Sequence, residues 1–94
     1  MTKLVFIHYM KFTKEFYNNS EEIQKDEWNR YKSLAKKNGL KLLAHGTPWG
    51  NEYHWVGVLQ SDNGMEAWNA FINEYMSPEY TLESNTAVVS QLEF

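Results

Sequence analysis

The chain has 94 residues, nine basic side chains against twelve acidic ones, a formal charge of −3 and no cysteine. That length admits one hydrophobic core and little more. The charge balance leaves no basic stripe for nucleic acid, and the missing thiols exclude disulfides, thiol nucleophiles and zinc–thiolate sites. A helical membrane span of about 20 apolar residues and a signal-peptide pattern at the start are both missing. One domain over residues 1–94, a cytoplasmic location and no membrane partner are therefore expected.

In chain order, residues 3–12 (KLVFIHYMKF) read as a strand that is apolar on both faces and so covered on both. Asn19 followed by Glu22 has the spacing of a capping box, and Ile23, Trp28, Tyr31, Leu34 and Ala35 recur at helical spacing as far as Gly39, which predicts a helix over 20–38. Lys32, Lys36, Lys37 and Lys41 read as a solvated face. A second strand over 40–47, a turn at 48–51 and a third strand over 52–60 form a predicted hairpin. Asn63 and Glu66 repeat the capping spacing ahead of a second helix striped by Met65, Trp68, Phe71, Ile72 and Tyr75 and ended by Ser77-Pro78. The alternating tail over 85–94 makes a fourth strand.

The order βαββαβ defines an α+β, ferredoxin-like fold, a four-stranded antiparallel sheet with two helices on one face. The other face is then bare. Val5, Ile7 and Tyr9 on the first strand and Tyr53, Trp55 and Leu59 on the third are expected to point there. Covering them with an identical sheet removes on the order of 1,000 Å² or more from water, the scale of stable dimers. A homodimer through the open sheet face is expected, closing a dimeric α+β barrel.

Aromatic residues make up 16% of the chain, a surplus for this size that favours a ligand or a partner. If Phe6 pairs with Val56, His8 lies opposite His54, and two imidazoles that can each take and give a proton near pH 7 sit side by side as acid or base groups. The competing reading has each ring simply satisfied by a neighbouring hydroxyl or carbonyl. His45 joins them only across an even hairpin loop, which defines a less favoured alternative, a three-histidine metal site of His8, His45 and His54. Otherwise no cofactor is expected. Trp28, Tyr31, Trp68, Phe71 and Tyr75 roof the space between sheet and helices. With Phe6, Val56 and Tyr80 they outline a pocket for a hydrophobic aromatic small molecule, in which Tyr75 joins His8 and His54 as a catalytic candidate. Trp49, in the hairpin turn, is exposed by position.

The element order, the length and the run MEAWNAFINEYMSPEY resemble the dimeric α+β barrel superfamily, which includes stress-responsive barrel proteins, polyketide cyclases and cofactor-independent or haem-degrading monooxygenases. The resemblance spans nearly the whole chain and implies a pocket between sheet and helices. In the cyclase branch a tyrosine on the second helix and a histidine after its proline do the acid–base work; here Tyr80 fills the histidine position. In the haem-degrading branch the site is an asparagine on the first strand, a tryptophan near the second helix and a histidine beyond it. His8 stands near the first and Trp68 matches the second, with no histidine after Tyr75. A cofactor-independent monooxygenase or cyclase-like enzyme is thus one expectation, and a non-enzymatic ligand-sensing or structural dimer the other.

Overall fold

Strand β1 (Leu4–Phe12) is central to the structure, a computed structural model that describes residues 3–76 and 80–90. Its alternate residues Phe6, His8 and Met10 are fully buried, which fixes one face of the strand as the core face. Thr13 then caps a short helix, α1 (Lys14–Asn18), its hydroxyl accepting from the Phe16 N–H at 3.4 Å. Phe12 before the cap contacts the Tyr17 ring at 6.2 Å, a hydrophobic staple that sets the angle at which the chain leaves the sheet. The sequence reading has no helix here.

Helix α2 (Glu21–Lys37) starts one residue later than the predicted box: Ser20, not Asn19, is the cap and accepts from the Ile23 N–H at 3.3 Å. Gly39, at φ 79°, turns the chain into β2 (Leu40–Gly46). β3 is shorter than expected, Trp55–Ser61 rather than 52–60. The connection is a long loop in which Gly50 has φ 85° and the Asn51 Oδ1 accepts from the Tyr53 N–H at 2.9 Å. Helix α3 (Met65–Tyr75) begins after Gly64 without a side-chain cap. Asn63 does not cap it; the Ser61 hydroxyl instead holds the turn ahead of the helix, accepting from the Asn63 N–H and donating to the Gly64 carbonyl. β4 is Thr81–Ser90, four residues earlier than the predicted start; the Ser77-Pro78 stop and residues 91–94 of the expected strand lie outside the described residues.

The four strands form one antiparallel sheet in the order β2-β3-β1-β4, the ferredoxin-like arrangement expected from the element order. α2 and α3 cover the face of Phe6, Met10 and Leu59, and with Tyr31, Ala35, Ala67, Trp68, Phe71 and Tyr75 these residues make the core. Burying side chains of this size contributes about 1.5–3 kcal/mol each. Arg30 on α2 ties the two helices together, donating to the main-chain carbonyls of Tyr75 at 3.0 Å and Glu74 at 2.9 Å.

The register of β1 on β3 differs from the expected one by three residues. Phe6 lies opposite Leu59, His8 opposite Gly57, Tyr9 opposite Val56 and Met10 opposite Trp55. An odd displacement exchanges the two faces of a strand. Trp55 and Leu59, expected on the open face, are therefore on the core face, and Val56, expected in the pocket, is on the open one. The open face carries Val5, Ile7 and Tyr9 with Val56 and Val58, Ala87 and Val89 on the flanking strands. Its rim is charged: Lys11 lies 3.2 Å from both Glu52 and Glu83. Tyr53 does lie on this side, its ring 5.3 Å from Tyr9.

Candidate functional site

At the end of the sheet where β1 leaves and β3 enters, the structure holds a cleft of about 350 Å³. Its floor is Phe12 and Trp55, Phe16 of α1 forms one wall, and Trp28 with Glu21, Gln24 and Lys25 of α2 forms the other. A second hollow of about 30 Å³ adjoins it, sharing Phe12, Phe16, Gln24 and Trp28 and reaching inward to Met10, Glu27, Tyr75 and Tyr80. The cleft exists because α1 holds Phe16 off the sheet. Gln24 secures that arrangement from α2, donating to the carbonyls of Asn19 at 3.1 Å and Tyr17 at 3.4 Å.

Behind the cleft lies a continuous aromatic cluster. Trp28 stacks on Tyr31 (5.5 Å, 14°), and Trp55 stands perpendicular to both, 5.0 Å from Trp28 and 4.9 Å from Tyr31. Trp55 occupies this position because Gly57, two residues on and on the same face, has no side chain: a Cβ there would run into the indole. Tyr31 in turn meets Phe71 and Tyr75 edge-on at 5.0 and 4.8 Å. Phe6 stacks flat on Trp68 at 4.7 Å. Offset and edge-on pairs of this kind contribute about 0.5–1.5 kcal/mol each beyond the area they bury.

His8 sits at the inner end of the cluster, fully buried, its Nδ1 and the Tyr31 hydroxyl 3.0 Å apart in a hydrogen bond. Its Nε2 has no partner, the one such buried side-chain atom among the described residues. The rings perpendicular to the imidazole, Trp68 at 5.1 Å and Trp55 at 6.2 Å, offer only π density. The tautomer that leaves least unmet therefore has Tyr31 donating to Nδ1 and the proton on Nε2. Burial pushes the His8 ionisation down from 6.5 to about 4, so the ring is neutral at pH 7. Burial also raises the ionisation of Tyr31, and that of Tyr75 to about 12 with a further push from the Glu27 carboxylate, so both phenols keep their protons.

The expected pairing of His8 with His54 is not formed. Gly57 occupies the position across from His8, and His54 is an exposed residue at the strand end. Its N–H donates to the Met10 carbonyl at 2.9 Å and its Nδ1 accepts from the Phe12 N–H at 3.0 Å, closing the ladder where β1 bends away. His45 does share the face of His8, since a bulge at Leu43 brings it opposite Gly57. With one strand between them, His8 and His45 are about 10 Å apart along the sheet, and the Trp55 indole lies over the glycine that separates them. His45 packs on Trp28 instead, at 4.5 Å. The three-histidine metal alternative therefore fails on geometry, and no group of three metal-ligating side chains occurs among the described residues.

Of the expected pocket residues, Phe6, Tyr31, Trp68 and Phe71 are closed core, Trp28 lines the cleft, and Tyr75 and Tyr80 line the inner hollow. Val56 lies on the far side of the sheet. Phe12, Phe16, Gln24, Glu27 and Trp55 were not among the expected pocket residues. Thr13 between Phe12 and the pair Phe16-Tyr17 is the readable signal for the first two, a helix cap with its staple; the spacing Trp55-x-Gly57 is the signal for the last.

The fold and the cleft together describe a ferredoxin-like α+β protein with one open sheet face. Among solved structures, the chain is similar to a dimeric ferredoxin-like protein of unknown function from Thermobifida fusca YX, with 13% identity, a TM-score of 0.55 and coverage of 96% of this chain and 92% of that one. It is likewise similar to a dabb family protein with a ferredoxin-like fold from Mesorhizobium loti, with 13% identity, a TM-score of 0.53 and coverage of 99% and 100%. At this identity the likeness is one of fold. No protein-family model and no curated protein matches the chain. Among the described residues no helix is long and apolar enough to cross a membrane.

Proposed function

We propose that this chain is a non-enzymatic small-molecule-binding protein that works as a homodimer, each protomer holding one planar, mainly apolar compound in the cleft under α1. The observation that carries the reading is the aromatic surface that Phe12, Phe16, Trp28 and Trp55 give the cleft, with Glu21, Gln24 and Lys25 of α2 completing one wall. Its volume of about 350 Å³ falls within the roughly 300–1,000 Å³ of small-molecule sites. Binding is favoured over turnover because neither His8 nor His54 lines the cleft, and the Tyr75 phenol, held protonated to about pH 12, is a hydrogen-bond donor and not a base.

Self-association is supported by the apolar stripe Val5, Ile7, Val56, Val58 and Val89 on the uncovered face, with Val89 43% exposed in the single chain. The relative from Thermobifida fusca, which has the same fold, is described as dimeric. A two-fold pairing covers the stripe with its own copy.

Two measurements test the reading. Sedimentation velocity at micromolar concentration is expected to give a dimer that Ile7→Asp converts to a monomer. Equilibrium dialysis against β-methylnaphthalene is expected to show one bound arene per protomer, lost in Trp28→Ala with the fold intact by circular dichroism. A wild-type monomer refutes the dimer, and an arene that partitions equally into wild type and Trp28→Ala refutes the cleft.

A further inference from the structure

The inner hollow has a chemistry unlike the cleft it adjoins. It contains a carboxylate, Glu27, and a phenol, Tyr75. The Tyr75 hydroxyl makes no hydrogen bond among the described residues; the ring is buried, but the oxygen itself keeps access to solvent. Glu27 lies close enough for its charge to raise the Tyr75 ionisation, yet the two are not bonded to each other. The nearest cation to Glu27 is Arg30 at 3.5 Å, whose guanidinium is already committed to the carbonyls of Tyr75 and Glu74. A solvent-reached phenol and a partly buried carboxylate thus line one small space, each with bonding capacity to spare. A ligand group that displaces water from this space has to replace the hydrogen bonds that water makes to both.

The size of the hollow limits the satisfying group. About 30 Å³ accommodates one water-sized group and no ring. The aromatic part of a ligand therefore stays in the outer cleft, and a single substituent enters. A carboxylate there meets Glu27 with like charge. An ammonium finds the Glu27 charge already balanced by Arg30 and loses its hydration besides. A hydroxyl fits both partners, because it donates one hydrogen bond and accepts another.

We propose that the compound bound in the cleft is an uncharged planar arene bearing a hydroxyl group, and that this hydroxyl enters the inner hollow, donating to the Glu27 carboxylate and accepting from the Tyr75 hydroxyl. The assignment rests on the cleft being a binding site, as proposed above, and adds the class of ligand and the two residues that select it. Tyr75 is kept a donor by burial, and Arg30 holds the end of α3 and lies over the Tyr75 ring, which keeps the phenol at the hollow that Glu27 also lines.

The test is equilibrium dialysis of β-naphthol, β-methylnaphthalene and β-naphthoate at neutral pH against the full chain, Glu27→Gln and Tyr75→Phe. Wild type is expected to hold naphthol about tenfold more tightly than methylnaphthalene, the scale of a hydrogen bond to a charged group net of desolvation, and to reject naphthoate. Glu27→Gln is expected to remove most of that preference while methylnaphthalene binds as before. Tyr75→Phe, which keeps the ring in the core, reduces the preference by about threefold, the scale of a neutral hydrogen bond. Equal binding of naphthol and methylnaphthalene by wild type overturns the hydroxyl assignment while leaving the cleft standing. A preference unchanged in both variants overturns the roles of Glu27 and Tyr75. If no arene binds at all, the cleft reading falls and this assignment falls with it.

Discussion

Replacing Gly57 with alanine isolates the contact on which the aromatic cluster turns. Gly57 is not among the glycines with positive φ, so alanine is compatible with its backbone and by strand propensity alone would stabilise by about 0.5–1 kcal/mol. Against this, a Cβ at 57 runs into three atoms of the Trp55 indole, two of them at 3.0 Å, where about 3.5–4.0 Å is ordinary carbon contact. The flexible end of a side chain would swing aside; this indole is enclosed by Trp28, Tyr31, His8 and His45. Overpacking of that kind costs about 1–3 kcal/mol. The net expectation is a loss of about 1–2 kcal/mol, or roughly 5–15 °C in Tm for a chain of this size. Urea denaturation at fixed protomer concentration measures it, with near-UV circular dichroism following the tryptophans. The decisive control is the same substitution in Trp55→Leu, where the obstruction is gone and alanine is expected to be neutral or stabilising. A Gly57→Ala chain as stable as wild type, or one that loses the same amount in both backgrounds, refutes the argument that Trp55 is why residue 57 is glycine.

Three further predictions follow from the hydrogen-bond and charge geometry. Because burial lowers the His8 ionisation to about 4, the unfolded chain binds this proton first as the pH falls. Stability is fully present above about pH 6.5 and declines down to about pH 4, by about 3 kcal/mol in all. Urea titrations at pH 7 and about pH 5 should show that decline in wild type and a much flatter response in His8→Gln; equal slopes remove His8 as the cause. Arg30→Ala should cost about 1–2 kcal/mol by freeing two carbonyls at the end of α3, and Arg30→Lys should recover only part, since an ammonium lacks the planar fork that spans both. His54→Ala should cost about 1 kcal/mol or less, because the Phe12 N–H it releases is near water, and arene binding by dialysis should be unchanged; a large loss of binding would return His54 to the site.

The order of elements was legible because each rests on a periodicity that tertiary contacts reinforce, and α2 and α3 show it best, with Trp28, Tyr31 and Ala35 or Trp68, Phe71 and Tyr75 on one stripe. The ends were less legible where the determining contact is distant or non-periodic. Tyr53 and Trp55 alternate like strand residues, yet the turn made by Asn51 keeps Tyr53 out of β3. The Asn63 box has the right letters, but Ser61 at the end of β3 takes up the Asn63 N–H in a turn, and the helix starts only after Gly64. α1 is not legible from periodicity because five residues carry too little of it; only its cap and staple mark it.

The candidate site depended on parity, and here the strands themselves say little. β1 is apolar on both faces, so sliding β3 by three residues still matches apolar against apolar, and the sequence pattern alone does not penalise the wrong register. What penalises it is volume. With Val56 under the helices, Trp55 would be turned to the open face and the Tyr31 ring would lose the indole that meets it edge-on. The observed register puts the largest side chain of β3 on the core face and beside the glycine that makes room for it. The bulge at Leu43 then reverses the parity of β2 as well, so that His45 shares the face of His8 by a route opposite to the one expected. A tryptophan two residues from a glycine in a strand is therefore the more informative signal. It specifies both a face and a gap, and in this chain that gap is what sets one side of the cleft.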